Sequence, residues 1–414
     1  MKITMLAIGS TGDVRPYILL GKELKNRGHE ITIAAFSPFR SAVENAGLMF
    51  YALSGNAEEF LHNVMKPGTS AISYLPQLEK SFREVAPEFV QDMSDSCDGA
   101  DAMVCCFFGS VFYSIAEKHH IPCIQTHYFP MDPNGETPIS AFRPQRMGKL
   151  VNAFTYKVGY LLIGTLEKRY LSDWRKANGV SDRKPRIGPD YRIGDHTVPV
   201  LYAMSPLVMP RPLEWDDHIH MTGFWFDDTP CTWQPPEDLT AFMEEGPRPV
   251  YIGFGSMNSG NMNKTLTIVL KAVRAAKLRA VINLGWSGQK LKSTKNVFFA
   301  DYIPHDWLFP RVSAVVHHGG AGTTAAGLRY GKPTLVIPFG GDQPFWGNRV
   351  WSIGCGPKPI PRDILNLNRL TKALLDLTGN PRYVTAAQEM SERLVLEHGT
   401  QRAADMVEQE ISSW

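Results

Sequence analysis

The run from Val316 to Gln343 constrains the fold more than any other stretch: VHHGGAGTT, a short apolar run, then PFGGDQ. A strand pattern (Ala314 to Val316) ends in His317 and His318, and the chain then turns through Gly319, Gly320 and Gly322 into Thr323 and Thr324. Glycines at a strand-to-helix turn let backbone N–H groups converge on an anion. The threonines open a predicted helix, whose N-terminus carries partial positive charge suited to a diphosphate. A histidine just before the turn adds either a hydrogen bond or a positive charge. The next apolar run (Thr334 to Ile337) should end near Asp342 and Gln343, bringing two polar side chains to the same rim. A carboxylate beside an amide matches adjacent sugar hydroxyls. Diphosphate next to sugar points to a nucleotide-sugar site.

The rest of the chain alternates strand and helix patterns twice. Lys2 to Ile8, Glu30 to Phe36, Met49 to Leu53 and Met103 to Phe107 read as strands, with helical spacing over Val14 to Arg27, Pro38 to Asn45 and Gly109 to Lys118. Glu59 to Met93 reads as amphipathic helices broken at Pro67-Gly68 and Pro87. Alternation restarts with strands at Val250 to Phe254, Ala280 to Leu284, Val297 to Ala300, Ala314 to Val316 and Thr334 to Ile337, and a helix over Lys264 to Ala276. Such alternation argues parallel sheets with helices on both faces. Proline and tryptophan crowd 206–236 without periodicity, which reads as a linker. The expected organisation is an α/β protein of two doubly wound, Rossmann-like domains facing across a cleft: an N-terminal domain over 1–205, the linker over 206–236, a second domain over 237–385, and closing helices over 386–414. In open α/β sheets ligands bind at the carboxyl edge of the strands.

A length of 414 residues fits two domains, and 43% hydrophobic with 20% charged residues is a soluble globular composition. The net charge of +2 makes no electrostatic case for nucleic acid. Cys97, Cys105, Cys106, Cys123, Cys231 and Cys355 have no metal-ligand spacing, so thiols in a reducing compartment are expected and no metal site is. Met1 leads directly into a strand pattern, leaving no room for a signal peptide. The longest uncharged apolar run, around Val158 to Leu166, is too short to span a bilayer. A cytoplasmic location follows as the expectation.

The loop after the first strand is Gly9-Ser10-Thr11-Gly12-Asp13-Val14-Arg15-Pro16. A dinucleotide-binding loop would want GxGxxG and an acid at the end of strand two. Only Gly9 and Gly12 are present, and strand two ends Ala-Ala-Phe-Ser-Pro. The dehydrogenase reading fails on both counts. Asp13 has two readings on residue chemistry: it accepts the proton of an attacking hydroxyl, or it caps the following helix.

Taken together, GSTGDVRP, YIGFGSM, YIPHDWLFP, HHGGAGTT and GGDQPFWGNRV resemble the GT-B glycosyltransferases of family 1 over nearly the whole chain. The resemblance is to the sterol 3-β-glucosyltransferase group, with bacterial macrolide and glycopeptide glycosyltransferases as cousins. It implies an inverting, metal-independent hexosyltransferase without a resident cofactor, using a UDP-sugar as co-substrate. It makes Asp13 the general base, matching the Asp of the GxxGD loop. The histidine used in this loop by plant members is absent here. It assigns the donor diphosphate to His318, Gly320, Gly322, Thr323 and Ser256, and the donor sugar to Asp342 and Gln343. Tyr302 and Ile303 align with the segment that stacks on and bonds the base. Ala326 stands where the plant motif has a ribose-binding glutamate.

Several residues carry a second, plainer reading. Tyr302 either stacks on a base or ends a strand in the core, and Trp286 either lines the nucleotide pocket or packs. His317 is expected to pack, because adjacent strand residues face opposite sides. Trp307 and Phe309 read as the core of a short helix. Trp346 is expected to close the floor of the sugar site or touch the acceptor, and His119 and His120 to cap. The acceptor region is expected in the N-terminal half, with Phe107, His127, Tyr128, Phe129 and Met131; aromatics and methionine suit a flat lipophilic acceptor, and equally a core. Arg143 to Lys176 interleaves basic with apolar residues, either a solvated face or a peripheral membrane contact.

The reading that results is transfer of a hexose, glucose foremost, from UDP-sugar to a lipophilic acceptor hydroxyl. A dTDP-deoxysugar transferase acting on a polyketide or peptide is the alternative within the fold. A non-catalytic nucleotide- or lipid-binding protein on the same scaffold is the alternative of another class. Oligomeric state is not legible.

Overall fold

The computed structural model describes residues 1–54, 88–106, 110–139, 148–255, 262–284 and 291–414. Phe107, Ser256 and Trp286 lie outside the described residues, as does most of 59–93. The chain divides into two compact units, Met1–Asp227 with Glu397–Trp414, and Asp228–Leu396.

In the first unit the strands are β1 (Lys2–Leu6), β2 (Glu30–Phe36), β3 (Met49–Leu53), β4 (Ala102–Cys105), β5 (Cys123–His127), β6 (Arg192–Ile193), β7 (His196–Thr197), β8 (Val200–Tyr202) and β9 (Ile219–Met221). Seven of them form one sheet in the order β3-β2-β1-β4-β5-β8-β9, each pair parallel. The first helix, α1 (Thr11–Asn26), buries Val14, Tyr17, Leu20, Gly21 and Leu24, a three-to-four spacing that lays one face on the sheet. Other described helices of this part include α2 (Arg40–Asn45), α3 (Ser110–His119) and α4 (Lys149–Ala177), and 88–95 is helical as well. Helices on both faces explain why β4 and β5 are buried at every position.

The second unit has α5 (Glu237–Glu244), β10 (Val250–Gly253), α6 (Met262–Ala275), β11 (Ala280–Asn283), β12 (Val297–Ala300), α7 (His305–Leu308), β13 (Ala314–His317), α8 (Ala321–Arg329), β14 (Thr334–Val336), α9 (Gln343–Ser352), α10 (Leu367–Gly379) and α11 (Pro381–Val395). Its sheet runs β12-β11-β10-β13-β14, again all parallel. Side chains alternate between two cores as strand geometry requires. Val250, Ile252, Ala280, Ile282, Ala314 and Val316 pack with Val269 and Val273 of α6 and Leu370 and Leu374 of α10. Tyr251, Val281, Phe298 and Val315 pack with Trp307, Leu308 and Phe309 on the other face.

Two boundaries differ from expectation. The stretch 206–236 is not simply a linker: β9 lies within it, and Trp215 and Trp225 are buried in the first unit. Trp215 stacks on Tyr202 at 4.5 Å, and the Trp225 indole donates to Thr222 Oγ1 at 2.9 Å. A three-residue strand is too short to announce itself by periodicity. At the other end, 386–396 stays with the second unit, and the return to the first begins at Glu397. There α12 (Gly399–Ser412) packs against α1.

Both large sheets reverse their order beside the first strand of the unit, between β1 and β4 and between β10 and β13. A reversal parts the loops at the carboxyl ends of the two strands and opens a crevice there. The GSTGD loop follows β1 and the HHGG turn ends β13, so each unit carries its marked loop at its own switch point.

Candidate active site

In the first unit the site begins with a helix cap. Ser10 is the N-cap of α1, its hydroxyl oxygen accepting from the Gly12 amide at 3.3 Å. Asp13, at the third helical position, reaches back: its Oδ2 accepts from the Ser10 amide at 2.6 Å and the Ser10 hydroxyl at 2.9 Å. The carboxylate is therefore not the cap itself but the return arm of a capping box. Both bonds fall on Oδ2, and among the described residues Oδ1 accepts none. The side chain is half-exposed at the surface, yet burial is the larger influence and raises its pKa above 3.8 against the lowering effect of the Ser10 bonds. Gly9 makes room for it. With φ at +145°, a Cβ there would lie 2.3 Å from Asp13 Oδ2.

Tyr128 sits beside this loop, its hydroxyl donating to the Asp13 carbonyl at 3.3 Å, its ring edge-on to Tyr17 and Trp225. The other expected acceptor residues are placed further in. His127 is buried with its ring against Tyr202 and its Nε2 3.0 Å from Gln125 Nε2; burial pushes its pKa down to about 3. Met131 is buried with Ile139 and Tyr156, and Phe129 packs half-buried against them. His127 is buried on strand β5, which is covered on both faces, whereas Met131 lies beyond that strand and lines a cavity with Gln125, Tyr160 and Tyr191.

In the second unit, β13 delivers the two histidines to opposite fates. His317 is fully buried, and its Nδ1 accepts from the Gly319 amide at 2.9 Å, fixing the turn. His318 is half-exposed and lies against the loop after β10: a Cβ at Gly255 would meet its Cε1 at 3.0 Å, and one at Gly320 its Nε2 at 2.6 Å. Desolvation pushes the His318 pKa down to about 4, so the imidazole is neutral near pH 7 and offers a hydrogen bond rather than a charge. Gly320 is the N-cap of α8 and supplies no capping side chain. The first amides of α8 thus face outward without a side-chain partner at the cap, as an anion-binding helix start requires. Thr324 turns its hydroxyl back to the Gly320 carbonyl at 2.9 Å, whereas Thr323 is half-buried and its hydroxyl makes no such bond among the described residues. Gly322 is exposed with open space where a side chain would be.

The β14–α9 loop lies next to this turn, since a Cβ at Gly319 would come within 2.9 Å of the Gln343 carbonyl oxygen. Gln343 is buried, its Oε1 accepting from the Phe339 and Gly340 amides at 2.7 and 3.1 Å. Its carbonyl oxygen is therefore spent on shaping the loop. Asp342 is half-buried and its Oδ2 accepts from the Trp346 indole at 2.9 Å. Trp346 is fully buried, so it holds Asp342 instead of forming a surface. Tyr302 is 68% exposed, which excludes the core reading, while Ile303 is buried in the β10–β13 core. Ser10, Gly9 and Trp346 carry the positioning. The Ser10-x-x-Asp13 spacing is the one sequence signal that announces it. Among the described residues no group of His, Cys, Asp or Glu could hold a metal ion, and no helix is long and apolar enough to cross a membrane.

Two switch-point loops, one with a fixed carboxylate and one with an open helix start, define a protein of the GT-B glycosyltransferase fold. The solved structure of the kitacinnamycin glycosyltransferase agrees in fold, with a TM-score of 0.73 at 20% identity over 99% of each chain. Residues 3–135 match the glycosyltransferase family 28 N-terminal domain, and residues 277–408 the erythromycin biosynthesis protein CIII-like C-terminal domain. A sterol 3-beta-glucosyltransferase of Arabidopsis thaliana is 36% identical over 90% of this chain and 60% of its own length. A second from the same plant is 32% identical over 98% of this chain and 67% of its own. The chain belongs to the glycosyltransferase family that includes these sterol 3-beta-glucosyltransferases. It spans about three fifths of the first relative's length.

Proposed function

We propose that the protein transfers a hexose, glucose foremost, from a UDP-sugar to a hydroxyl of a sterol or similar polycyclic acceptor, with inversion. The observation that carries this reading is the Asp13 carboxylate, held by Ser10 at the β1 switch point with its pKa raised. A carboxylate so placed takes the proton of the acceptor hydroxyl as that oxygen attacks the anomeric carbon and the diphosphate departs. The open start of α8, with neutral His318 and the Thr323 hydroxyl, suits the departing diphosphate as a set of hydrogen-bond donors. Asp342, braced by Trp346, suits the donor sugar's hydroxyls. The sterol acceptor is favoured by the names of the relatives, which run over most of the chain.

Calorimetry with UDP-glucose and dTDP-glucose, followed by transfer assays on a sterol, tests the reading. UDP-glucose should bind selectively, and Asp13→Asn should keep donor binding while transfer falls about 10²- to 10⁴-fold. Transfer by Asp13→Asn at the wild-type rate would remove the base assignment. A dTDP preference would move the donor, and no binding to either would remove the catalytic reading.

A further inference from the structure

Helix α4 is built inside out. Its buried residues are Asn152, Thr155, Tyr156, Glu167, Leu171 and Arg175, mostly polar. Their buried polar atoms are hydrogen-bonded internally, save Arg175 Nη1. Asn152 Nδ2 donates to the Gly135 carbonyl at 3.0 Å, Thr155 Oγ1 accepts from the Ile139 amide at 2.9 Å, and the Tyr156 hydroxyl accepts from Asn134 Nδ2 at 2.9 Å. Ser110 donates to Glu167, and Arg175 donates to Ser114 and Ser110, each at 2.9 Å.

The solvent side is apolar instead. Leu150 is 88% exposed, Phe154 61%, and Val151, Leu161 and Leu162 are exposed as well. Scattered exposed leucines are ordinary on any surface. Five large apolar side chains on one side of a helix that buries an amide, hydroxyls and charges elsewhere are not. The stripe follows the helical repeat through Leu150, Phe154, Val158 and Leu161, then continues on the same face to Lys168 and Lys176. Exposed charges on α4 are Lys149, Lys157, Lys168, Arg169 and Lys176 against Asp173 alone, on a chain whose net charge is only +2.

We propose that this face of α4 docks in the interface of an anionic lipid bilayer. Leucine and phenylalanine side chains enter the boundary between headgroups and acyl chains, and the lysines meet the anionic headgroups. A protein partner would be served by an apolar stripe alone. The cationic bias on the same helix is what selects an anionic surface. The proposal does not rest on the transfer reading, because binding is measured without substrate.

The test is co-sedimentation of the full chain with vesicles of phosphatidylcholine alone or mixed with phosphatidylserine. Binding should require phosphatidylserine and weaken with salt. Leu150→Gln with Phe154→Gln should lower partitioning by at least about tenfold, and Lys157→Glu with Lys168→Glu should abolish the phosphatidylserine dependence. Circular dichroism should show all variants folded, since these side chains are exposed. Absence of wild-type binding, or variants that bind as the wild type does, would overturn the proposal. Concentration-dependent dimerisation lost in the Leu150/Phe154 variant, without vesicle binding, would assign the face to a second copy instead.

Discussion

Gly9 governs a carboxylate it does not touch through any side chain of its own. Its φ of +145° and its missing Cβ leave the space that Asp13 Oδ2 occupies. Gly9→Ala should therefore push the carboxylate off its Ser10 bonds. Transfer should fall about 10²-fold through misplacement of the base while donor affinity holds, which steady-state kinetics beside calorimetry would reveal. An unaltered kcat would mean that Asp13 needs no fixed position. Much of this residue-scale detail was legible: Ser10 and Asp13 stand at capping-box spacing, and the HHGG turn announces the start of α8. The burial of His127 was not. A strand covered on both faces has no polar–apolar alternation, so nothing in the sequence distinguishes a residue pointing to a crevice from one pointing to the core.

Among the elements, α4 departs furthest from what its sequence suggests, because burial by hydrophobicity reads it the wrong way round. Its buried polar side has a price in pH dependence. Desolvation raises the Glu167 carboxyl from 4.5 to about 7, against the opposing influence of Ser110 and Arg175. The folded protein thus keeps a proton that the unfolded chain releases. Stability is full below about pH 4.5, falls as pH rises towards 7, and is level above. Glu167→Gln should flatten that slope, and melts recorded at pH 5 and pH 8 would give it as a smaller difference in Tm than in the wild type. An equal difference in both proteins would place the titration elsewhere. The short strand β9 was missed for a simpler reason, since three residues carry no period. Most of the longer strands were read to within two residues as apolar runs, but β5 (Cys123–His127), in the middle of the first sheet, was not named.

At the scale of the molecule, the first unit is completed by residues far from it in sequence. Arg27, at the end of α1, donates to Asp405 at 2.6 Å and Glu408 at 2.8 Å, and His29 pairs with the same Glu408 at 2.8 Å. The Thr400 hydroxyl binds both the amide and the carbonyl of Phe226 at 2.9 Å, and Ala403, Ala404 and Val407 of α12 are fully buried. A chain ending at Leu396 should lose the calorimetric unfolding transition of the first unit and keep that of Asp228–Leu396. Two unchanged transitions would show the segment to be dispensable. That the family's two-sheet plan was legible, and this splice only roughly, follows from the difference between a repeated strand–helix pattern and a single helix boundary at Glu397.

This interrupted layout sets an order on birth at the ribosome. The second unit is contiguous and can close as soon as its own residues have emerged, whereas the first must wait, with the α1 surface that α12 will cover still bare, until the segment from Glu397 onward has been made. Of the two units, the one that carries Asp13 is started before the other and completed after it.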